Sequence, residues 1–175
     1  MKILGQYYKD KPYNRCYMIS NLNCMSLITW KEINEDLFGK FINDMLALWH
    51  QAEYWRIPES WPTYTIKRWK DNMWDTFIVE NVKILSSMFF WYIIKWYPMV
   101  ISIRVWKQFI LDREDWELSD IILDDESTEW HSTVLKWYRI YDSRWDQKTY
   151  SVTRKYLETI KWLFSRQNAL VFKKI

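Results

Sequence analysis

The chain has 175 residues, 49% of them hydrophobic and 27% charged, a length and balance that suit one soluble domain with its own core. Its 25 basic and 22 acidic residues leave a net charge of +3, compatible with an anionic ligand but far from the basic excess of a duplex-DNA binder. Only two glycines exclude the Gly-rich phosphate cradles of nucleotide-binding loops, and 14 tryptophans exceed what a core of this size needs, which points to stacking on flat ligands or to partner contact.

Residues 1–10 lack a secretory h-region and carry Lys2, Lys9 and Asp10. Residues 16–19 and 25–30 are short apolar runs that predict a first and a second strand. Cys16 and Cys24 form neither a disulfide scaffold nor a CxxC pair, and both read as reduced, structural thiols. Over residues 34–51 the period changes: Phe38, Phe41, Met45 and Leu48 recur at helical spacing, with Asn34 or Asp36 available as a cap. Ile42, Leu46 and Trp49 add a second apolar stripe, so this helix is either deeply buried or meets something outside the domain.

Pro58 and Pro62 punctuate the following loop, and residues 64–67 and 76–82 predict short strands. Residues 86–96 predict an aromatic helix stopped by Pro98. In residues 100–106, Ile101, Ile103 and Val105 alternate with Ser102 and Arg104 as in a strand, and residues 109–111 pair with it across a tight Lys107-Gln108 turn. Asp124 and Asp125 precede a predicted helix with Trp130, Val134, Tyr138 and Tyr141 on one side. A last helix carrying Tyr156, Ile160, Leu163 and Phe164 ends before a basic tail, Lys173-Lys174. Lys95, Pro98 and Arg104 interrupt residues 84–105, which read as a buried helix and a strand rather than a membrane span. The expected compartment is the cytoplasm. With no repeat or linker, residues 1–175 read as one domain, an α+β fold with helices packed on one face of a mostly antiparallel sheet.

The segments PYNRCYM (12–18), TWKEINEDLF (29–38), FINDMLALW (41–49), IPESWPTYTIKRWKDNMWD (57–75) and PMVISIRVWKQFIL (98–111) follow in order. Together they resemble the translation initiation factor 4E family, proteins that bind the N7-methylguanosine 5′ cap of messenger RNA. The resemblance implies a curved, mostly antiparallel sheet with helices on its convex face. It also implies a base sandwich between Trp30 and Trp74, both on loops at one end of the sheet. The chemistry fits, because a methylated guanine is a flat cation that gains from an electron-rich ring on each side. The same two indoles could otherwise belong to the core.

Asp75 stands where the family usually has glutamate, to accept the paired donors of the guanine edge, and is one methylene shorter. Arg104 and Lys107 correspond to the phosphate-binding cations. The family's tryptophan after the hairpin is replaced by Asp112, which leaves Trp106 or Trp116 for contact with the methyl group. The glycine-rich loop after the Met-Trp-acid motif is missing, a compaction that suits a viral version of the family. Pro12, Ile42 and Leu46 match a dorsal site for a helical peptide of an initiation factor 4G-like scaffold or a 4E-binding repressor.

An enzyme is not expected. His50 and His131 are the only histidines, each assigned to a helix, and neither has a metal or triad spacing. Asp124-Asp125 reads as a helix cap. No catalytic residue, metal, cofactor or membrane contact is implied. Two other readings remain open: an interaction protein that kept the fold but sequesters a translation factor, and a single-strand RNA binder that stacks bases on its tryptophans.

Overall fold

The computed structural model describes residues 4, 7–8, 11–12, 16–51, 61–106, 128–143, 149–161, 164 and 166–175. A short pair, β1 (Tyr7–Tyr8) and β2 (Lys11–Pro12), precedes three helices, α1 (Cys16–Thr29), α2 (Glu35–Gln51) and α3 (Trp61–Met73). Next come β3 (Phe77–Lys83), α4 (Ser87–Ile94), β4 (Met99–Trp106), β5 (Thr128–Lys136) and β6 (Arg139–Tyr141). The chain finishes with β7 (Thr149–Ser151), α5 (Arg154–Thr159) and β8 (Asn168–Lys174). Strands β3 to β8 form one antiparallel sheet in the order β3-β8-β4-β5-β6-β7.

Both faces of this sheet are buried. On β4, Val100 faces one core while Met99 and Ile101 face the other; on β8, Leu170 and Phe172 oppose Ala169 and Val171 in the same way. The first core joins Val100, Val134 and Phe172 to α1, to Phe38 and Phe41 of α2, and to Tyr64 and Trp69 of α3. The second joins Ile101, Leu135 and Val171 to Phe89 and Ile93 of α4 and Leu157 of α5. Ile19, Leu22 and Met25 of α1 are wholly buried, each contributing about 2 kcal/mol by removal from water.

The α+β class and the antiparallel sheet agree with the sequence reading, but helices cover both faces of the sheet rather than one. Helix α2 forms as expected, with Asn34 Oδ1 accepting the Leu37 amide at 2.8 Å. α4, β3 and β4 also lie close to their predicted spans, and Ser86 caps α4 by accepting the Phe89 amide. Four expectations are corrected. The strands expected at 16–19 and 25–30 are instead parts of the single helix α1, buried on nearly every side, and of the Trp30 turn that ends it. Residues 64–67 lie within α3, whose Pro62 is tolerated in the first helical turn, where its missing N–H has no helical partner. Trp130, Val134, Tyr138 and Tyr141 are not on a helix but on β5, β6 and the turn between them. The Lys173-Lys174 tail belongs to β8, which fills the place between β3 and β4. The expected strand at 109–111, its Lys107-Gln108 turn, Asp124-Asp125 and Leu163 lie outside the described residues.

Three helices end on a tryptophan in the left-handed region, where glycine is the usual residue: Trp30 after α1 (φ 57°), Trp74 after α3 (φ 67°) and Trp96 after α4 (φ 64°). The Trp30 and Trp74 amides return to the Ser26 and Lys70 carbonyls at 2.9 and 3.0 Å. At Trp96 the closure is a full Schellman pair, Trp96 N–H to the Ile93 carbonyl and Tyr97 N–H to the Tyr92 carbonyl, both 3.1 Å. The two-residue turn joining β5 to β6, Trp137-Tyr138, also has positive φ at both positions, the hairpin geometry that normally selects Asn-Gly.

Candidate functional site

Cys16 is the first residue of α1, so its sulfur sits at the positive end of the helix, where backbone N–H groups favour an anion. Two serines hold α1 against β5 at this point. Ser20, one turn along from Cys16, donates its hydroxyl to the Ser132 carbonyl at 2.7 Å, and the Ser102 and Ser132 hydroxyls lie 2.9 Å apart. The Ser132 amide then donates to Cys16 Sγ at 3.3 Å.

His131 precedes Ser132 on β5, and its field is among the influences that lower the Cys16 thiol. Its Nε2 lies 2.7 Å from Asp142 Oδ1, with both side chains buried. Asp142 follows the last residue of β6, and the pairing of Val134 with Tyr141 carries it opposite Thr133, diagonal to His131 across the two strands. Thr133 fixes that approach by donating to the Tyr141 carbonyl at 2.6 Å.

The electrostatics separate the two cysteines. Burial would push the Cys16 thiol up, but the hydrogen bond and field of His131, with the Ser132 amide and hydroxyl, outweigh it and leave the thiol below its ordinary value. Cys24, wholly buried in α1, is pushed up strongly by desolvation. Cys16 is half-buried. A lowered thiol, an imidazole whose field lowers it and a carboxylate holding that imidazole are the residue types of a nucleophile, base and orienter constellation.

The residues singled out for cap binding are only partly brought together. Trp30 and Trp74 are 74% and 88% exposed, so neither indole is in the core. Their helix ends adjoin, because Lys31 Nζ reaches both the Met73 carbonyl and Asp75 Oδ2 at 2.7 Å. Lys136 lies over the Trp30 ring, 5.1 Å from its centre. Asp75 is buried: Oδ2 accepts from Lys31 and from the Trp69 indole at 3.3 Å, and Oδ1 faces Lys174 at 2.7 Å. Both oxygens already have partners from the protein itself. Arg104 and Trp106 stand in β4, Pro12 in β2, and Ile42 and Leu46 in α2. Lys107, Asp112 and Trp116 lie outside the described residues.

Sequence reasoning missed Cys16, His131 and Asp142 as a group. The readable signal was His131 opening the alternation His-Ser-Thr-Val-Leu, with Asp142 just past the next strand, once residues 128–141 are taken as a hairpin. Among the described residues no cluster of acids, cysteines and histidines is placed to hold a metal ion, and no helix is long and apolar enough to cross a membrane. The chain matches no protein-family model, no curated protein and no solved structure.

Proposed function

We propose that the protein is a thiol-dependent acyl-transfer enzyme, a hydrolase or transferase, with Cys16 as nucleophile, His131 as general base and acid, and Asp142 as the group that orients His131. The observation that carries this reading is the buried His131–Asp142 hydrogen bond at 2.7 Å, next in sequence to Ser132, whose amide donates to the sulfur of the half-buried Cys16 at the start of α1 at 3.3 Å. The reading departs from the expectation of a binding protein.

The steps balance. His131 takes the Cys16 proton, and the thiolate forms a C–S bond to the acyl carbonyl of the substrate. The C–N or C–O bond then breaks, and His131 returns the proton to the departing amine or alcohol. Water or an acceptor nucleophile then attacks the thioester carbonyl with its proton passing to His131, the C–S bond breaks, and the acyl group leaves as the acid or on the acceptor while the Cys16 thiolate is restored. An activated ester tests this directly. Incubation with p-nitrophenyl acetate should release p-nitrophenolate in a burst and leave one acetyl group on the Cys16 peptide. The Cys16→Ser variant should give no acetylated thiol, and acetylation of Cys24 alone, or of neither cysteine, would refute the assignment.

A second reading, binding of the N7-methylguanosine cap, is supported by the exposure of Trp30 and Trp74 on adjoining helix ends. It calls for a guanine acceptor other than Asp75, whose oxygens are engaged. Its expected signature is quenching of tryptophan fluorescence by N7-methyl-GTP but not by GTP, lost in both Trp30→Ala and Trp74→Ala. Equal quenching by the two nucleotides would reject it.

A further inference from the structure

Helix α4 is apolar on both sides. Phe89, Phe90, Tyr92 and Ile93 fill the core, while Met88, Trp91 and Ile94, three residues apart along the other side, are 53%, 46% and 62% exposed. A helix apolar all round is ordinarily covered all round. Past the helix end the stripe continues into Trp96, which lies flat on Trp137 of the β5–β6 turn, with ring centres 4.4 Å apart and planes within 9°. Both rings are about half-exposed.

Each ring belongs to a Lys-Trp-Tyr triplet, residues 95–97 and 136–138, and each tryptophan holds a left-handed φ. A side chain at such a position costs on the order of 1 kcal/mol that glycine would avoid. Two large indoles kept there at that cost argue that the rings themselves are used. The charge around them is one-sided. On the α4–α5 side of the sheet, Glu80, Glu158 and Asp142 are paired with Lys173 at 2.7 Å, Arg154 at 2.9 Å and His131 at 2.7 Å. The exposed Lys95, Lys155 and Lys161 add positive charge around the patch.

We propose that Met88, Trp91, Ile94, Trp96 and Trp137 form a docking patch for the surface of an anionic phospholipid bilayer. Indoles favour the boundary between headgroups and acyl chains, and lysines extend to anionic headgroups while their stems lie on apolar surface. Met88 and Ile94 distinguish this occupant from a nucleic acid, since neither stacks on a base, whereas both gain by leaving water for acyl chains. The mutual stack of Trp96 and Trp137 also leaves no slot between them for a base. Trp137 lies six residues along β5 from His131, about 20 Å of extended chain.

Sedimentation with sucrose-loaded vesicles tests the proposal. The full chain should bind phosphatidylcholine vesicles containing phosphatidylserine, more weakly as salt rises, and bind pure phosphatidylcholine vesicles less. Trp91→Ala combined with Ile94→Ser, and Trp96→Ala combined with Trp137→Ala, should each lower binding about tenfold or more. Circular dichroism and thermal melting of the same variants should match the parent, separating lost docking from lost folding. Vesicle binding that is absent, or equal in the parent and the folded variants, overturns the proposal. So does a finding that the same substitutions abolish binding of a single-stranded oligonucleotide, or self-association of the chain, while vesicle binding is unchanged.

Discussion

Replacing His131 with alanine is expected to slow acetylation of Cys16 by p-nitrophenyl acetate at pH 7 by about a hundredfold or more, the usual scale of general acid–base assistance. Two losses coincide. Without the imidazole, burial becomes the dominant influence on the thiol and pushes it up, so less thiolate is present. The proton acceptor also disappears. The rate should therefore begin to rise at lower pH in the parent than in His131→Ala, whose profile shifts towards that of a buried thiol. Asp142→Asn keeps a hydrogen-bonding group beside Nε2 but removes its charge, and a loss of about tenfold is expected from poorer orientation. Initial p-nitrophenolate release across pH, with the mass of the Cys16 peptide, measures all three proteins. An unchanged profile in His131→Ala would leave Cys16 as an accessible thiol and no more.

Asp75→Asn should destabilise the fold by about 1–2 kcal/mol at neutral pH. Burial alone would raise the Asp75 carboxyl, but hydrogen bonds from Lys174, Lys31 and the Trp69 indole outweigh it and hold the group at about 2. The lysines are 43% and 49% exposed, so solvent screening keeps the effect below what the full shift would give. A folded-state value below the unfolded one stabilises above the unfolded value, 3.8, and the gain disappears as pH falls through about 2. The difference in melting temperature between parent and variant should thus be constant from pH 5 to 8 and shrink below about pH 4. A gap that widens on acidification would contradict the ion cluster.

How legible these features were depends on how each element is buried. Helix α2 has one solvated side, so Phe38 and Phe41 repeat visibly against Glu35, Asp36 and Lys40. Helix α1 lies between α3 and the sheet with Ser20, Asn21, Asn23 and Ser26 buried alongside Ile19, Leu22 and Met25. It has no polar face to break the run, and its short apolar stretches pass for strands. Strand β5 is buried on both faces by His131, Thr133 and Leu135 on one side and Ser132 and Val134 on the other. Its alternation is between two interiors rather than between core and water, and Trp130 and Val134 then imitate a helical spacing. The candidate catalytic group depends on those two elements, so losing them hid it. Trp30 and Trp74 were singled out from the sequence and are exposed side chains at helix ends, whereas Asp75, chosen to meet a ligand, meets Lys31 and Lys174.

The place of β8 in the sheet imposes an order on synthesis. β3 and β4 leave the ribosome early, but the slot between them waits for residues 168–174. Ala169, Val171 and Phe172, all wholly buried, contribute to both cores, so neither interior closes on a nascent chain until those residues have emerged. At ribosomal speeds of about 5–20 residues per second, the tryptophan-rich intermediate carries two open strand edges for several seconds. A premature stop codon before residue 168 would leave those edges open permanently. Such a product is material for chaperones and proteases, and the gene has little room for a shortened form that still works.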